Sequence, residues 1–409
     1  MSSVSHPLLL ASLLVPAASA AVLDLPVWFR NTYADVEVQI GTPPTSHLLR
    51  FDTGSATSWV VDQTCATECN NYSGFPRSGY NASASSTSGS LGTYAEIVYL
   101  GGTTAGSGMY DENFSFAPPS SSSSPLVSWN QSFLAVNETS WAQTAADGFM
   151  GLAFSTISDG GAPTVVETLM WDGLLDAPRF AIYYGTELND TGGAPGDGVI
   201  TVGGSREETY VDASGADEGL TWVPLVLQEG EPEYQVWRTK LVSMTATKEG
   251  GNGTTTATVT AKDTTLDFEN SYAVFDTGAG SMTVPESQVD AMYEAIGLWS
   301  YRDILENGVV PLCSEFNSSW SVSLSFQGDA SDASVVRTLT LTGEQLARPG
   351  FAGGREDACW PPFEGGNGDG FFLLGTPILE KFYTIWDFGA VAVEDYKPQI
   401  GFGKLKAGL

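Results

Sequence analysis

Asp52 and Asp276 are the two residues of this sequence best suited to do chemistry together. Each opens an Asp-Thr-Gly tripeptide behind a short strand-like run, Leu49-Arg50-Phe51 in one case and Ala273-Val274-Phe275 in the other. Asp147-Gly148-Phe149-Met150-Gly151-Leu152 follows the first copy and Gly370-Phe371-Phe372-Leu373-Leu374-Gly375 the second. Each later glycine lies 99 residues after its Asp (52 to 151 and 276 to 375). One Asp-Thr-Gly carries little weight, because Asp and Gly are common turn residues. Two copies with the same downstream partner at the same spacing mark an internal repeat, and hence two related lobes. Carboxyls held side by side cannot both ionise easily, so they share a proton and titrate as a pair. In acid the charged one accepts a proton from a bound water while the other donates to a substrate carbonyl, and no covalent intermediate is needed. The neighbouring residue types suit that arrangement. Gly54 and Gly278 let backbones approach closely, and small hydroxyls such as those of Thr53 and Thr277 can cross-link two loops.

Other chemistries find little support. The chain has two histidines, His6 and His47, and His47 follows the turn Gly41-Thr42-Pro43-Pro44, which places it at the surface. A His-rich zinc site therefore lacks ligands, and a Ser-His-Asp arrangement lacks a nucleophile-elbow motif. Four cysteines fall into a close pair, Cys65 and Cys69, and a distant pair, Cys313 and Cys359. Proximity suggests those two disulfides and leaves no thiol for catalysis. No Gly-rich loop after a strand opens a helix, so a nucleotide fold is unsupported. Neither metal nor cofactor is expected. With 48 Asp plus Glu against 17 Lys plus Arg, a net charge of −31, no basic cluster exists to grip nucleic acid or anionic lipid. That charge serves solubility, adaptation to acid, or both.

The elements that position these residues follow from the rest of the chain. At 409 residues, 42% hydrophobic and 16% charged, the sequence is long enough for two lobes and too apolar for disorder. Its 46 glycines separate short runs rich in Val, Ile, Phe, Tyr and Trp, which predicts a mostly β protein. The expected helices are few: Pro163 to Trp171 and Pro285 to Ile296, each with Pro at its start and apolar residues at helical spacing. Ser120 to Ser124 and Glu249 to Thr256 read as exposed loops or hairpin tips. Residues 1–20 have the apolar stretch and Ala18-Ser19-Ala20 end of a signal peptide. Residues 21–205 then form an N-terminal lobe with the first Asp-Thr-Gly, and residues 206–409 a C-terminal lobe with the second. No later run is long enough to span a bilayer. Eight Asn-X-Ser/Thr sequons, at Asn71, Asn81, Asn113, Asn130, Asn137, Asn189, Asn252 and Asn317, point to export. A secreted protein, or one held in an acidic compartment of the secretory route, is expected.

Over nearly the whole mature chain the sequence resembles the pepsin-like aspartic proteases. The resemblance implies a bilobal fold of two β-barrel-like lobes with a cleft between them, and Asp52 and Asp276 as the catalytic pair. It further implies reciprocal hydrogen bonds from Thr53 and Thr277 and a bond from Ser55 to Asp52. Tyr99 is then the flap tyrosine, and Trp59, in Ser58-Trp59-Val60-Val61, the tryptophan that follows the first motif. Phe149-Met150-Gly151 and Leu373-Leu374-Gly375 match the elements that support the two Asp loops. The two cysteine pairs match disulfides of the family. Three features depart from it. No basic pro-segment separates Ala20 from a first strand expected near Tyr33–Val36, Ala279 replaces the usual Ser or Thr, and the flap reads Tyr99-Leu100-Gly101-Gly102. The implied activity is that of a monomeric, secreted endopeptidase acting on polypeptides in acid. The alternatives are a catalytically weak binding or inhibitor protein of the same fold, which often lacks one Asp, and an acidic cell-surface glycoprotein, which leaves the paired motifs unexplained.

Overall fold

Among the described residues the first strand begins at Leu23, ten residues before the start expected from sequence. Strand β1 (Leu23–Arg30) buries Leu23, Leu25, Val27 and Phe29 and turns the intervening residues outward, the period-two pattern of a half-buried strand. Asn31 and Thr32, at φ of 53° and 67°, form a two-residue turn into β2 (Tyr33–Ile40). Asn-Thr is not the Asn-Gly pair that usually announces such a turn, and so this hairpin was not legible.

The computed structural model describes residues 20–116, 127–188, 190–214, 219–250, 253–260, 271–366, 368 and 370–409. Residues 1–19 of the expected signal peptide, the Ser120–Ser124 loop and the sequons Asn189 and Asn252 lie outside the described residues. Strand makes up 39% and helix 17%, so the fold is mostly β.

In the first half, β2 pairs with β3 (Thr45–Asp52), which runs parallel to strand Gly148–Gly151. That strand pairs with β4 (Trp59–Val61), and β4 with the long hairpin Thr103–Phe116 and Val127–Thr139. The hairpin returns to β2 through Gln39 opposite Ser115 and Ile40 opposite Phe114, which closes a six-stranded barrel. β1 also pairs with Val199–Val202. From there a sheet continues through Arg179–Tyr183, Phe382–Asp387, Gln399–Lys404 and Leu220–Pro224. The last strands of the chain are thus hydrogen-bonded to strands of its first half. The second half contributes an eight-stranded sheet among the described residues.

The repeat is visible in the pairing. Phe51 and Asp52 lie opposite Met150 and Gly151 in one parallel ladder, and Val274 and Phe275 opposite Leu373 and Leu374 in the other. Each ladder has an antiparallel neighbour, with Trp59 opposite Phe149 and Thr283 opposite Leu373. A side chain on Gly151 would fall 2.2 Å from the Ala56 carbonyl, and one on Gly375 2.3 Å from that of Ala279. Only glycine lets each Asp loop fold down onto its supporting strand.

Both expected helices form, with each proline just outside. Val165–Trp171 is capped by Thr164 and Glu286–Ile296 begins after Pro285. An additional helix, Tyr301–Asn307, starts at a capping box between Ser300 and Asp303. In the Glu249–Thr256 segment the described residues are strand-paired as far as Gly250 opposite Gly253, and residues 251–252 lie outside the described residues. Cys65–Cys69 and Cys313–Cys359 are both disulfide-bonded. His47 corrects its expected surface position. It is 1% exposed in β3, with Nδ1 donating to the Ser78 carbonyl at 3.1 Å and Nε2 2.9 Å from Thr45 Oγ1. Burial pushes its pKa down to about 4. The Thr-Pro-Pro turn ends before Thr45, and β3 then carries His47 inside. Among the described residues no helix is long and apolar enough to cross a membrane.

Candidate active site

The two Asp-Thr-Gly loops meet head to head. The Thr53 N–H donates to Thr277 Oγ1 at 3.0 Å, and the Thr277 N–H donates to Thr53 Oγ1 at 3.0 Å. The Thr53 hydroxyl donates to the Phe275 carbonyl at 2.9 Å, and that of Thr277 to the Phe51 carbonyl at 2.8 Å. Each buried hydroxyl thus accepts one bond and gives one, and four bonds cross between the halves. Both loops are also tied to their own supports, Leu152 N–H to the Asp52 carbonyl at 2.8 Å and Asp276 N–H to the Leu374 carbonyl at 3.1 Å.

This lock brings the two carboxyls into contact. A side chain on Gly54 would fall 2.6 Å from Asp276 Cγ, and one on Gly278 2.6 Å from Asp52 Oδ1. The donors around the pair are unequal. Asp52 accepts from the Gly54 N–H at 2.9 Å and from the Ser55 hydroxyl at 2.5 Å. Asp276 accepts from the Gly278 N–H at 2.7 Å, and the position matching Ser55 is Ala279, which has no hydroxyl. Burial, the facing charge of Asp52 and a hydrogen bond to Asp52 hold the Asp276 carboxyl well above the usual range, and the Gly278 and Ala279 N–H groups offset part of that.

The carboxyls lie in a cleft of about 870 Å³ between the halves. Its first-half wall is Gly54–Thr57, the hairpin tip around Tyr99, Trp141, Phe149, Ile157 and Asp159; Gly278–Ser281, Thr283, Glu364 and Leu373 form the other. Tyr99 sits where strand Glu96–Val98 turns back, its N–H donating to the Gly102 carbonyl. Its hydroxyl accepts from Trp59 Nε1 at 2.8 Å, and Ser55, which lines the same cleft, donates to Asp52. Burial, and then the Asp52 charge, push the Tyr99 hydroxyl far above its ordinary range, so it stays protonated. Trp59 does not line the cleft; at 1% exposure it lies beneath Tyr99, its ring tilted against that of Phe149 with centres 4.8 Å apart. The sequence reading missed the carboxylates Glu96, Asp159 and Glu364 in the walls, which carry no motif. Among the described residues no group of three or more His, Cys, Asp or Glu is placed to hold a metal ion.

The sequence matches the family described as "Eukaryotic aspartyl protease" over residues 32–395. It is 28% identical to a gastricsin of Callithrix jacchus over 389 residues, covering 91% of this chain and 85% of that protein. A pepsin B of Canis lupus familiaris is 26% identical over 367 residues (88% and 80%), and human napsin-A is 27% identical over 372 (88% and 76%).

The hydroxyl lock generates a prediction. Thr53→Val removes the acceptor of the Thr277 N–H and the donor to the Phe275 carbonyl while nearly preserving volume. Two buried polar groups left unpaired cost about 3 kcal/mol or more. Urea unfolding should show that loss, and Thr53→Ser should recover most of it. Equal stability of Thr53→Val and the parent would show that the cross-bonds do not hold the halves together.

Proposed function

Since the chain belongs to the eukaryotic aspartyl proteases and is an aspartic-type endopeptidase, we propose that Asp52 and Asp276 hydrolyse peptide bonds in acid by activating one water between them. The observation that carries this reading is the contact of two unequally supported carboxyls on the floor of the cleft. As in aspartic proteases generally, like charges this close share one proton. Burial and the facing Asp52 charge hold the Asp276 carboxyl well above the usual range, so the proton rests mainly on Asp276.

In that state Asp52 accepts a proton from the water as its oxygen attacks the substrate carbonyl carbon. Asp276 donates its proton to the carbonyl oxygen, giving a neutral tetrahedral diol. On collapse Asp276 takes back a proton from one diol hydroxyl, Asp52 passes its proton to the amide nitrogen, and the C–N bond breaks. Thr53, Gly54, Ser55, Thr277 and Gly278 hold the pair, and Tyr99 covers it from the hairpin tip, supported by Trp59. The substrate is an extended polypeptide with an apolar bias, received by side chains such as Ile97, Leu100, Phe149 and Leu373. Sequons, disulfides and the apolar leader support secretion, or an acidic compartment of the secretory route, and a monomer suffices because one chain supplies both carboxyls.

Asp52→Asn and Asp276→Asn should each abolish proteolysis of a denatured protein in acid while leaving the unfolding transition in place, because an amide cannot exchange a proton in this role. Near-normal turnover by either variant would show that the pair is not the catalyst and favour a binding role for the cleft. A second expectation concerns Ala279. Ala279→Thr supplies the missing donor to Asp276, favours the ionised pair, and should move the basic limb of kcat/KM toward acid by about half a pH unit. An unchanged limb, or a shift toward neutral, would reject that role.

A further inference from the structure

Arg50 is a charged residue where the strand leading to Asp52 has otherwise apolar neighbours, Leu49 and Phe51. It is 2% exposed, and it stands in a row that crosses the barrel: Asp35 of β2 lies opposite Arg50, and Arg50 opposite Phe149. Side chains two apart on a strand share a face, so Arg50 and Asp52 project to the same side of β3. The Arg50 guanidinium carbon lies 3.6 Å from the centre of the Tyr33 ring and 5.1 Å from that of Phe149. Phe149 in turn lies 5.7 Å from Tyr99. Asp35 has no exposed surface. Among the described residues neither Asp35 oxygen has a hydrogen-bond partner, and neither do Arg50 Nε and Nη2. The two charges therefore meet through their fields and not through a paired fork.

We infer that Arg50 is a positioning residue for the dyad, a cation set beneath the cleft that favours the singly ionised pair in acid, with Asp35 as the counter-charge that cancels it near neutrality. The inference rests on the dyad reading above. The titratable groups whose charge acts on Arg50 are Asp35 and Tyr33 from β2, Asp52 from its own strand and Asp276 from the second half, while strand Gly148–Gly151 presents Phe149. Arg30 and Asp147 stand behind Asp35. Burial pushes Asp35 up to about 7, against the opposing pull of Arg50 and Arg30. Asp35 is accordingly neutral in acid, where the guanidinium, which does not lose its proton, acts uncompensated. A cation near a carboxyl pair lowers the pH at which the pair gives up protons. Tyr33 and Phe149 hold the group by its flat faces, which a guanidinium favours.

The test is the pH profile of kcat/KM for Arg50→Met, Arg50→Lys and Asp35→Asn beside the parent. The pH dependence of binding is followed in parallel for a peptide carrying a secondary alcohol in place of the scissile carbonyl. Arg50→Met should move both limbs toward neutral by about half to one pH unit, and inhibitor binding should move with them. Arg50→Lys, charged in acid, should restore most of the parental profile. Asp35→Asn should move the basic limb the opposite way, toward acid, by a smaller amount. If Arg50→Met does not fold, the Lys and Asn variants carry the test by the same signs. An unmoved profile in a folded Arg50→Met, or the same direction of shift for Met and Asn, overturns the inference while leaving the dyad reading intact. A parent without acid proteolysis overturns both.

Discussion

Two carboxyls that repel each other once both are charged must nevertheless be kept in contact, and the reciprocal hydrogen bonds of Thr53 and Thr277 are what keep them there. The four bonds are buried, each hydroxyl is satisfied as donor and acceptor, and each begins or ends within two residues of an Asp. The rest of the architecture serves that crossing. Each loop is pinned to a parallel neighbour that arrives 99 residues later and closes with a glycine. The last strands of the chain return to pair with strands of its first half, so the halves are joined by a continuous sheet as well as by the lock.

The two halves form a symmetric frame on which the side chains impose an asymmetry. The repeat supplies a matching backbone donor to each carboxyl, Gly54 to Asp52 and Gly278 to Asp276, and the side chains then differ, with Ser55 on one side and Ala279 on the other. The surroundings lean the same way. Tyr99, Trp59 and Phe149 cluster on the Asp52 side, and Arg50 approaches from beneath it on the same strand face. Burial also raises the carboxyls of Asp35, Asp147, Glu167 and Glu380, so these interior groups keep their protons to higher pH than ordinary carboxyls do.

Much of this was legible in the sequence because a repeat tests itself. Paired Asp-Thr-Gly motifs at equal spacing from paired glycines predicted two related halves, and the parallel ladders show them. The cysteine pairs followed from proximity. What was not legible depended on burial and on partners distant in sequence. His47 was read from the turn before it, but β3 is covered on both faces from that residue onward. Arg50 passed as part of a strand-like run, since no local pattern says that a lone arginine is enclosed by Tyr33, Asp35 and Phe149. The β1–β2 turn uses Asn-Thr at positive φ, a pairing without a standard signal. In each case the deciding contact was made by a neighbouring strand, which periodicity along one strand cannot report.

The central claim is that the pair shares a single proton, weighted toward Asp276. Infrared spectroscopy at mildly acidic pH, where exposed carboxylates are ionised, measures this directly by counting protonated carboxyls. The parent minus Asp276→Asn difference should show one protonated carboxyl lost, and the parent minus Asp52→Asn difference should show none. A protonated carboxyl lost in both variants, or in neither, would contradict the account.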